Sequence, residues 1–389
     1  MLRFLTAGES HGPELSVIVE GLPAGVPLDL EAVDRDLHRR QLGYGRGARS
    51  TKIERDLATV TSGLAGGATT GAPLAIRIVN RDFANQPLDP QPLTAPRPGH
   101  ADLAGRVKYG LADFGVVRER ASARETAARV AAGALAKQLL APFGCRLGGF
   151  VLQIGKEGAE LPRPVDLLKA GELHALAEAA EGDELRTFDP AASARMRAAV
   201  DEAREAGQTL GGAFCAFATG TPAGLGSYVQ WDRKLDGRLA QAVLSIHAVK
   251  GVEIGPAFDL AAVPGTEAQD SVEWHAGGLA RGSNRAGGLE AGVTNGQPVV
   301  LRAAMKPLSS VRTRVRSVDF VTGEPVDPPY VRSDVCAVPA AVVVAEAMVA
   351  WVLADAVCER FGQDRLDGML AAFEAVGRPD EPPRPGPRR

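Results

Sequence analysis

Two rhythms of hydrophobic and polar residues run through this chain. Apolar residues alternating with polar ones, bounded by Gly and Pro, read as strands at 15–20, 58–62, 74–79, 148–154, 214–219, 252–254 and 299–304. Apolar residues at helical spacing mark four helices. Residues 30–42 follow Asp29 as an N-cap and deliver a loop rich in arginine. Ser122 and Glu125 read as a capping box ahead of an Ala-rich helix over 125–140, which stops near Pro142 and Gly144. An amphipathic, arginine-bearing helix over 191–206 closes at Gly207. The most apolar stretch, 337–357, has Pro339 in its first turn and Gly362 just past its end. Its length would suit a membrane span. Glu346 and Asp355 interrupt it, however, no second span accompanies it, and a helix apolar all round suits the buried centre of a large protein.

One turn pattern is repeated. Gly67, Thr69, Gly71, Pro73 and Arg77 return as Gly292, Thr294, Gly296, Pro298 and Arg302, always 225 residues on. Each set is a turn, a proline and an apolar strand leading to arginine, which predicts two related halves. Residues 1–377 read as a single domain. Within it 156–189 is charged and poor in apolar pattern, so 156–206 reads partly as a peripheral elaboration. The Pro- and Arg-rich 378–389 reads as a disordered tail.

Composition narrows the class. The 389 residues are 45% hydrophobic and 23% charged, which is globular usage. Lys plus Arg (44) nearly balances Asp plus Glu (47), so general attraction to nucleic acid or a membrane surface is disfavoured. No signal peptide is read at the start. Cys145, Cys215, Cys336 and Cys358 lie far apart without a C-x-x-C pair, which argues against zinc or a disulfide framework and for a reducing cytoplasm.

Against that neutral background the arginines concentrate. Arg39, Arg40, Arg46 and Arg49 flank Gly43-Tyr44-Gly45-Arg46-Gly47, a glycine-hinged loop suited to carboxylates or phosphates. Two of six histidines sit in Gly/Pro loops: His11 in Gly8-Glu9-Ser10-His11-Gly12-Pro13, and His100 in Arg97-Pro98-Gly99-His100-Ala101-Asp102. Such residues can transfer protons near neutrality. His38, His174 and His275 read as surface groups, and His247 stays open between roles. Arg118-Glu119-Arg120-Ala121-Ser122 precedes the capped helix as a candidate anion site. Met305-Lys306-Pro307-Leu308-Ser309-Ser310 and Arg332-Ser333-Asp334 add cationic, hydroxyl and acidic groups, Asp334 being either a cap or a base held near the core. No P-loop, dinucleotide-binding glycine motif, nucleophile elbow or H-E-x-x-H occurs.

Together these segments resemble the chorismate synthase family. The resemblance rests on Gly8-Glu-Ser-His11-Gly, the Arg39 to Arg49 loop, Arg97-Pro-Gly-His100-Ala-Asp, Arg120-Ala-Ser-Ala-Arg-Glu-Thr126, Val249-Lys-Gly-Val-Glu-Ile-Gly255, Met305-Lys-Pro, and Arg332-Ser-Asp334-Val-Cys-Ala-Val-Pro-Ala340, in family order. It implies an α+β fold, a β-α-β sandwich with buried helices between two antiparallel sheets. It also implies a cytoplasmic homotetramer, without nucleic-acid or membrane partners. The implied reaction is 1,4-elimination of phosphate from 5-enolpyruvylshikimate 3-phosphate, giving chorismate with reduced FMN and no net redox change.

By the same resemblance Arg40, Arg46, Arg49 and Arg97 bind substrate, and the first two match positions assigned to NADP. His11 matches the acid for the leaving phosphate, His100 a group at the flavin's pyrimidine edge, and Asp334 an acid near flavin N5. FMN contacts fall on Arg120, Ala121, Ser122, Gln241, Ala242, Ala291, Lys306, Pro307, Leu308, Ser309, Ser310 and Arg332. The family often has glycine at Ala291 and proline at His247. NADPH enters only as an indirect reductant, with self-reduction and a separate flavin reductase both open. Two other readings compete: an FMN-dependent oxidoreductase acting on an anion, and a polyanion-binding module. The second predicts aromatics interleaved with the arginines, and only Tyr44 answers.

Overall fold

The computed structural model describes residues 1–87, 91–275, 278–313, 315–327 and 333–376. The first half runs β1 (Arg3–Gly8), β2 (Glu14–Glu20), α1 (Leu30–Gln41), β3 (Thr59–Ser62), β4 (Leu74–Val79) and α2 (Thr126–Leu140). The second runs β5 (Arg146–Ile154), α3 (Ala170–Glu181), α4 (Pro190–Glu205), β6 (Gly212–Thr219), α5 (Leu235–Leu244), β7 (Val249–Ile254), β8 (Val299–Met305) and α6 (Val338–Phe361). The strands form two antiparallel sheets, ordered β1-β2-β4-β3 and β5-β6-β8-β7, with Glu157–Gly158 added beside β5. Helix α2 packs on the first sheet, α6 on β5 and β6 of the second, and the two helices pack against each other. This is the sandwich that the sequence led us to expect.

The repeated turn pattern proves to be repeated structure. With α3 and α4 set aside as an insertion, both halves have the same element order and the same sheet order. Gly63, Gly67 and Gly71 have φ of 86°, 79° and 81°, and Gly288, Gly292 and Gly296 have 83°, 89° and 87°. These left-handed angles suit glycine. At the remaining shared position the first half has Gly66 at 58° and the second has Ala291 at 52°. Thr69 Oγ1 accepts the Val26 N–H at 2.9 Å and donates to the Pro23 carbonyl at 2.5 Å. Thr294 Oγ1 treats Leu225 and Pro222 in the same way, at 2.8 and 2.6 Å. Both hydroxyls thereby tie a Pro-Ala-Gly turn to a short hairpin.

The two sheets differ in what covers them. On the first, Leu15, Val17, Val19, Leu74, Ile76 and Ile78 are buried against the helices, while Leu5, Ile18 and Val79 on the other face are exposed. On the second, Phe150, Cys215, Phe217 and Val300 lie under Val165, Leu168, Leu173 and Ala180. The stretch expected to be peripheral therefore seals the outer face of a sheet. Met196, Val200 and Ala203 of α4 are also buried, the first two within the main core. Helix α6, the only helix among the described residues long and apolar enough to cross a membrane, lies in the centre with 94% of its apolar window buried.

Three local expectations need correction. Strand β1 carries no clear sequence signal, yet it flanks the sheet. The capping box does not close: Ser122 Oγ takes the Arg124 N–H at 3.3 Å, and Glu125 turns to Thr6 and Arg129, both at 2.8 Å. Helix α6 runs on to Phe361. The expected tail, 378–389, lies outside the described residues.

Candidate active site

His11 lies in the turn between β1 and β2. Asn80 braces that turn, donating to the carbonyls of Glu9 (3.1 Å) and Gly12 (2.8 Å). A short helix, Phe114–Arg120, capped by Asp113, brings Glu119 alongside. Glu119 accepts the His11 backbone N–H at 2.7 Å and stands 2.9 and 3.0 Å from ring Nδ1. Burial pushes the Glu119 carboxyl up, but the hydrogen bonds and charge of His11, with Arg118 beyond, bring it down to about 2. The other ring nitrogen, Nε2, is 3.1 Å from Arg49 Nη1, which also donates to Ser10 Oγ at 2.9 Å. Ser10 Oγ in turn meets Ser122 Oγ at 3.0 Å. An imidazole, a guanidinium and two hydroxyls therefore converge on one corner, with Glu54 and Asp82 behind the arginine.

The arginine loop divides. Val33, Leu37 and Arg40 share the buried face of α1, so Arg40 points inward to Asp56 (2.5 Å), which Arg124 also contacts at 2.7 Å. Burial lowers the Arg40 pKa, Asp56 opposes this, and the charges of Arg124 and Arg46 add to the lowering. Arg39 faces the other way, joining Glu346, Glu181 and Asp36, so it braces the helices and does not belong to the site. Arg46 pairs with Asp334, whose other oxygen accepts the Gly47 N–H at 2.7 Å. This pair lines a cavity of about 240 Å³ with Arg204, Thr209, Ser310 and Arg312. Tyr44 anchors the loop to α4: its hydroxyl donates to Asp201 at 2.7 Å, and the Arg197 guanidinium lies 4.3 Å from its ring centre.

A second histidine corner faces the same cavity through Ser310. Buried Asp102 takes Arg97 Nε at 2.9 Å and His100 Nδ1 at 2.5 Å. Burial raises its pKa, and the hydrogen bonds of His100 and Arg97 outweigh that, holding it well below the usual carboxylate range. Arg97 reaches Ser310 Oγ at 3.4 Å, and Lys306 Nζ donates to the Gly99 carbonyl at 2.9 Å. Burial lowers the His247 pKa, Glu125 opposes this, and Arg129, His100 and Arg120 lower it further. Its Nδ1 is buried with no hydrogen-bond partner among the described residues.

Most of the expected site residues thus fall into three local corners, with Ser310 linking the second to the third. His11, Arg49 and Ser122 form one corner, with Arg120 donating to the Thr6 carbonyl at 3.0 Å on the neighbouring strand and Ala121 between them. Arg46 and Asp334 form a second, and Arg97, His100, Lys306 and the loop Pro307, Leu308, Ser309 and Ser310 form a third. Arg332 lies outside the described residues. Gln241 is exposed on α5 and Ala242 is nearly buried there, one turn before Ser245, whose hydroxyl takes Arg129 Nη1 at 2.7 Å. Ala291 stands apart. It lies in the hairpin before β8, whereas Lys306 follows the other end of that seven-residue strand, about 20 Å away at the usual rise per residue. One chain therefore does not bring Ala291 beside Lys306, although its hairpin meets the start of α5, where the Leu235 N–H donates to the Gly292 carbonyl at 3.0 Å.

A family model described as Chorismate synthase matches residues 2–358. The chain belongs to the chorismate synthase family. It is 50% identical over 392 aligned positions to the chorismate synthase of Geobacter sulfurreducens, covering 96% of this chain and 98% of that protein. It is 53% identical to that of Moorella thermoacetica, covering 94% and 96%. A crystal structure of a chorismate synthase superposes with a TM-score of 0.80 at 42% identity, covering 96% of this chain and 97% of the other. Chorismate synthases are carbon–oxygen lyases of the shikimate pathway, which supplies aromatic compounds. Sequence reasoning missed Glu119 and Asp102, the carboxylates that hold His11 and His100, and Asp56 and Arg124, which hold Arg40 behind the arginine loop. Two had a signal: Asp102 is two residues past His100, and Glu119 lies inside the Arg-Glu-Arg run.

Proposed function

We propose that this chain eliminates phosphate from 5-enolpyruvylshikimate 3-phosphate to form chorismate, with reduced FMN as its cofactor. The observation that carries this reading is the corner where His11 Nε2 and Arg49 Nη1 stand 3.1 Å apart beside Ser10 and Ser122. Arg49 can fork onto a phosphate, and His11 can give the departing oxygen a proton. Arg46 offers a second fork for a substrate carboxylate. Its partner Asp334, freed when the arginine turns to the ligand, is an acid able to relay a proton at the cavity wall. Arg97 and His100, locked to Asp102, supply a third cationic edge. Arg40 acts from behind, holding Asp56 and so the arginine loop.

The residues present fit a flavin. Arg120, Ser122, Lys306, Ser309 and Ser310 provide the cations and hydroxyls suited to a phosphate and a polyol chain, and the unpartnered His247 Nδ1 offers a polar contact nearby. When bound, reduced flavin supplies electron density and accepts the ring hydrogen that no side chain here is basic enough to remove alone. NADPH would serve only as an indirect reductant. A homotetramer is supported by the apolar Leu5, Ile18 and Val79 left uncovered on the outer face of the first sheet, where Leu5 is 58% exposed. A cytoplasmic setting is supported by four buried, unpaired cysteines.

The test is anaerobic. Purified protein, photoreduced FMN and the phosphate ester are mixed while chorismate and phosphate are followed. Equal release of both, without net flavin oxidation, is expected; no chorismate would refute the reading. Driving the same reaction with NADPH, with and without an added flavin reductase, separates self-reduction from dependence on a reductase.

A further inference from the structure

We propose that Glu119 is a positioning residue that fixes the His11 ring, holding its Nδ1–H so that Nε2 is presented to the leaving phosphate. This rests on the acid role given to His11 above. The geometry is specific. Both Glu119 oxygens lie within 3.0 Å of Nδ1, and one also accepts the His11 backbone N–H, so the ring and its own main chain are gripped by one carboxylate. The Ser10 N–H donates to the Glu119 carbonyl at 3.1 Å, fixing the turn to the helix that bears the carboxylate. A carboxylate on Nδ1 selects the neutral tautomer with Nδ1–H and stabilises the imidazolium from which a proton can be donated at Nε2.

The charged groups facing the ring are few. Glu119 meets Nδ1 and Arg49 meets Nε2. Arg118 pairs with Glu119 at 3.1 Å, while Glu54 and Asp82 sit on Arg49. A positive charge thus stands at Nε2, and among the described residues Glu119 is the one carboxylate in contact with the ring. A bound phosphate would add negative charge at Arg49. When the carbon–oxygen bond breaks, its electron pair stays on the phosphate oxygen. The Nε2 proton passes to the phosphate, leaving neutral imidazole with its Nδ1–H still held by Glu119.

The test compares Glu119→Gln, Glu119→Asp and His11→Ala. Gln keeps the size and an acceptor oxygen but loses the charge. We expect kcat to fall at least about tenfold, and the alkaline limb of the pH–kcat/KM profile to move about one unit or more to lower pH, because imidazolium loses its counter-charge. Glu119→Asp, with the charge kept on a shorter stem, should restore the limb more than the rate. A side chain that only braced the turn would lower stability or kcat without moving that limb. Independently of turnover, 15N correlation spectra of the unaltered protein should show neutral His11 protonated on Nδ1. Protonation on Nε2 instead would overturn the proposal, even if the Gln variant failed to fold. If His11→Ala kept its activity, the acid role of His11 itself would fail. If His11→Ala were inactive while Glu119→Gln kept the wild-type limb and tautomer, only the role of Glu119 would fail.

Discussion

The centre of the sandwich depends on how closely α2 and α6 cross, and Gly133 sets that distance. A Cβ added there would lie 2.3 Å from Ala347 Cβ, 2.4 Å from its Cα and 2.7 Å from its carbonyl oxygen. Carbon atoms in contact prefer about 3.5–4.0 Å, and two of these three obstacles are backbone, so no rotamer change relieves them. Gly133→Ala must therefore push the helices apart by roughly 1 Å within a fully packed core. Helix propensity alone would reward the change by about 1 kcal/mol. Overpacking costs about 1–3 kcal/mol, and this rigid contact belongs at the upper end, so the net is destabilisation by about 2 kcal/mol. Neighbouring Glu346 would move as well, straining its contacts to Lys137 and Arg39 at 2.9 and 2.8 Å. Urea unfolding at one fixed protein concentration measures this, with Gly368→Ala as the control. Gly368 lies in the helix Leu366–Val376 with nothing within 4 Å of an added Cβ. The control should be neutral or stabilising by up to about 1 kcal/mol. A Gly133→Ala variant as stable as the parent would refute the close crossing.

Thr69→Val and Thr294→Val each strip the acceptor from a buried N–H and the donor from a carbonyl. Each should cost about 2–4 kcal/mol by urea unfolding, and costs differing severalfold would break the equivalence of the halves. Arg46→Lys should raise KM about tenfold or more in steady-state kinetics, because a point charge cannot replace a guanidinium fork; unchanged kinetics would remove Arg46 from the site. Burial raises the Glu346 pKa, but Lys137 and then Arg39 pull it well below the carboxylate range. Its stabilisation is therefore full above its unfolded pKa of about 4.3 and is lost as pH falls toward the folded value. Glu346→Gln should cost about 3 kcal/mol at pH 7, the low end for breaking a buried pair because Asp36 and Glu181 still serve the two cations. It should also flatten the fall in stability below about pH 4, and a variant keeping the parent's acid slope would show that another carboxylate sets it.

What the sequence displayed, and what it hid, follows from the range of each interaction. The halves were legible because a left-handed turn and a proline are local requirements, so Gly67-x-Thr69-x-Gly71 and its partner 225 residues later carry the same letters. Helix α6 was legible because burial on every side leaves no polar face. Strand β1 was not, since its outward Leu5 and small Ala7 blur the alternation that its pairing with β2 imposes. The arginine loop misled where helical geometry was left out: Arg40 continues the Val33 and Leu37 face while Arg39 shares a side with Asp36, so neighbours in sequence point to different neighbours in space. Residue types suited to proton transfer were visible at His11 and His100, but what tunes them was not. Glu119 reaches His11 across 108 residues, and only the fold puts that carboxylate on Nδ1. Asp102 does the same for His100 from two residues away, inside a loop whose local pattern names no role for it. In both corners the histidine is spelled out in its motif; the carboxylate against its Nδ1 comes from the same loop at His100 and only from packing at His11.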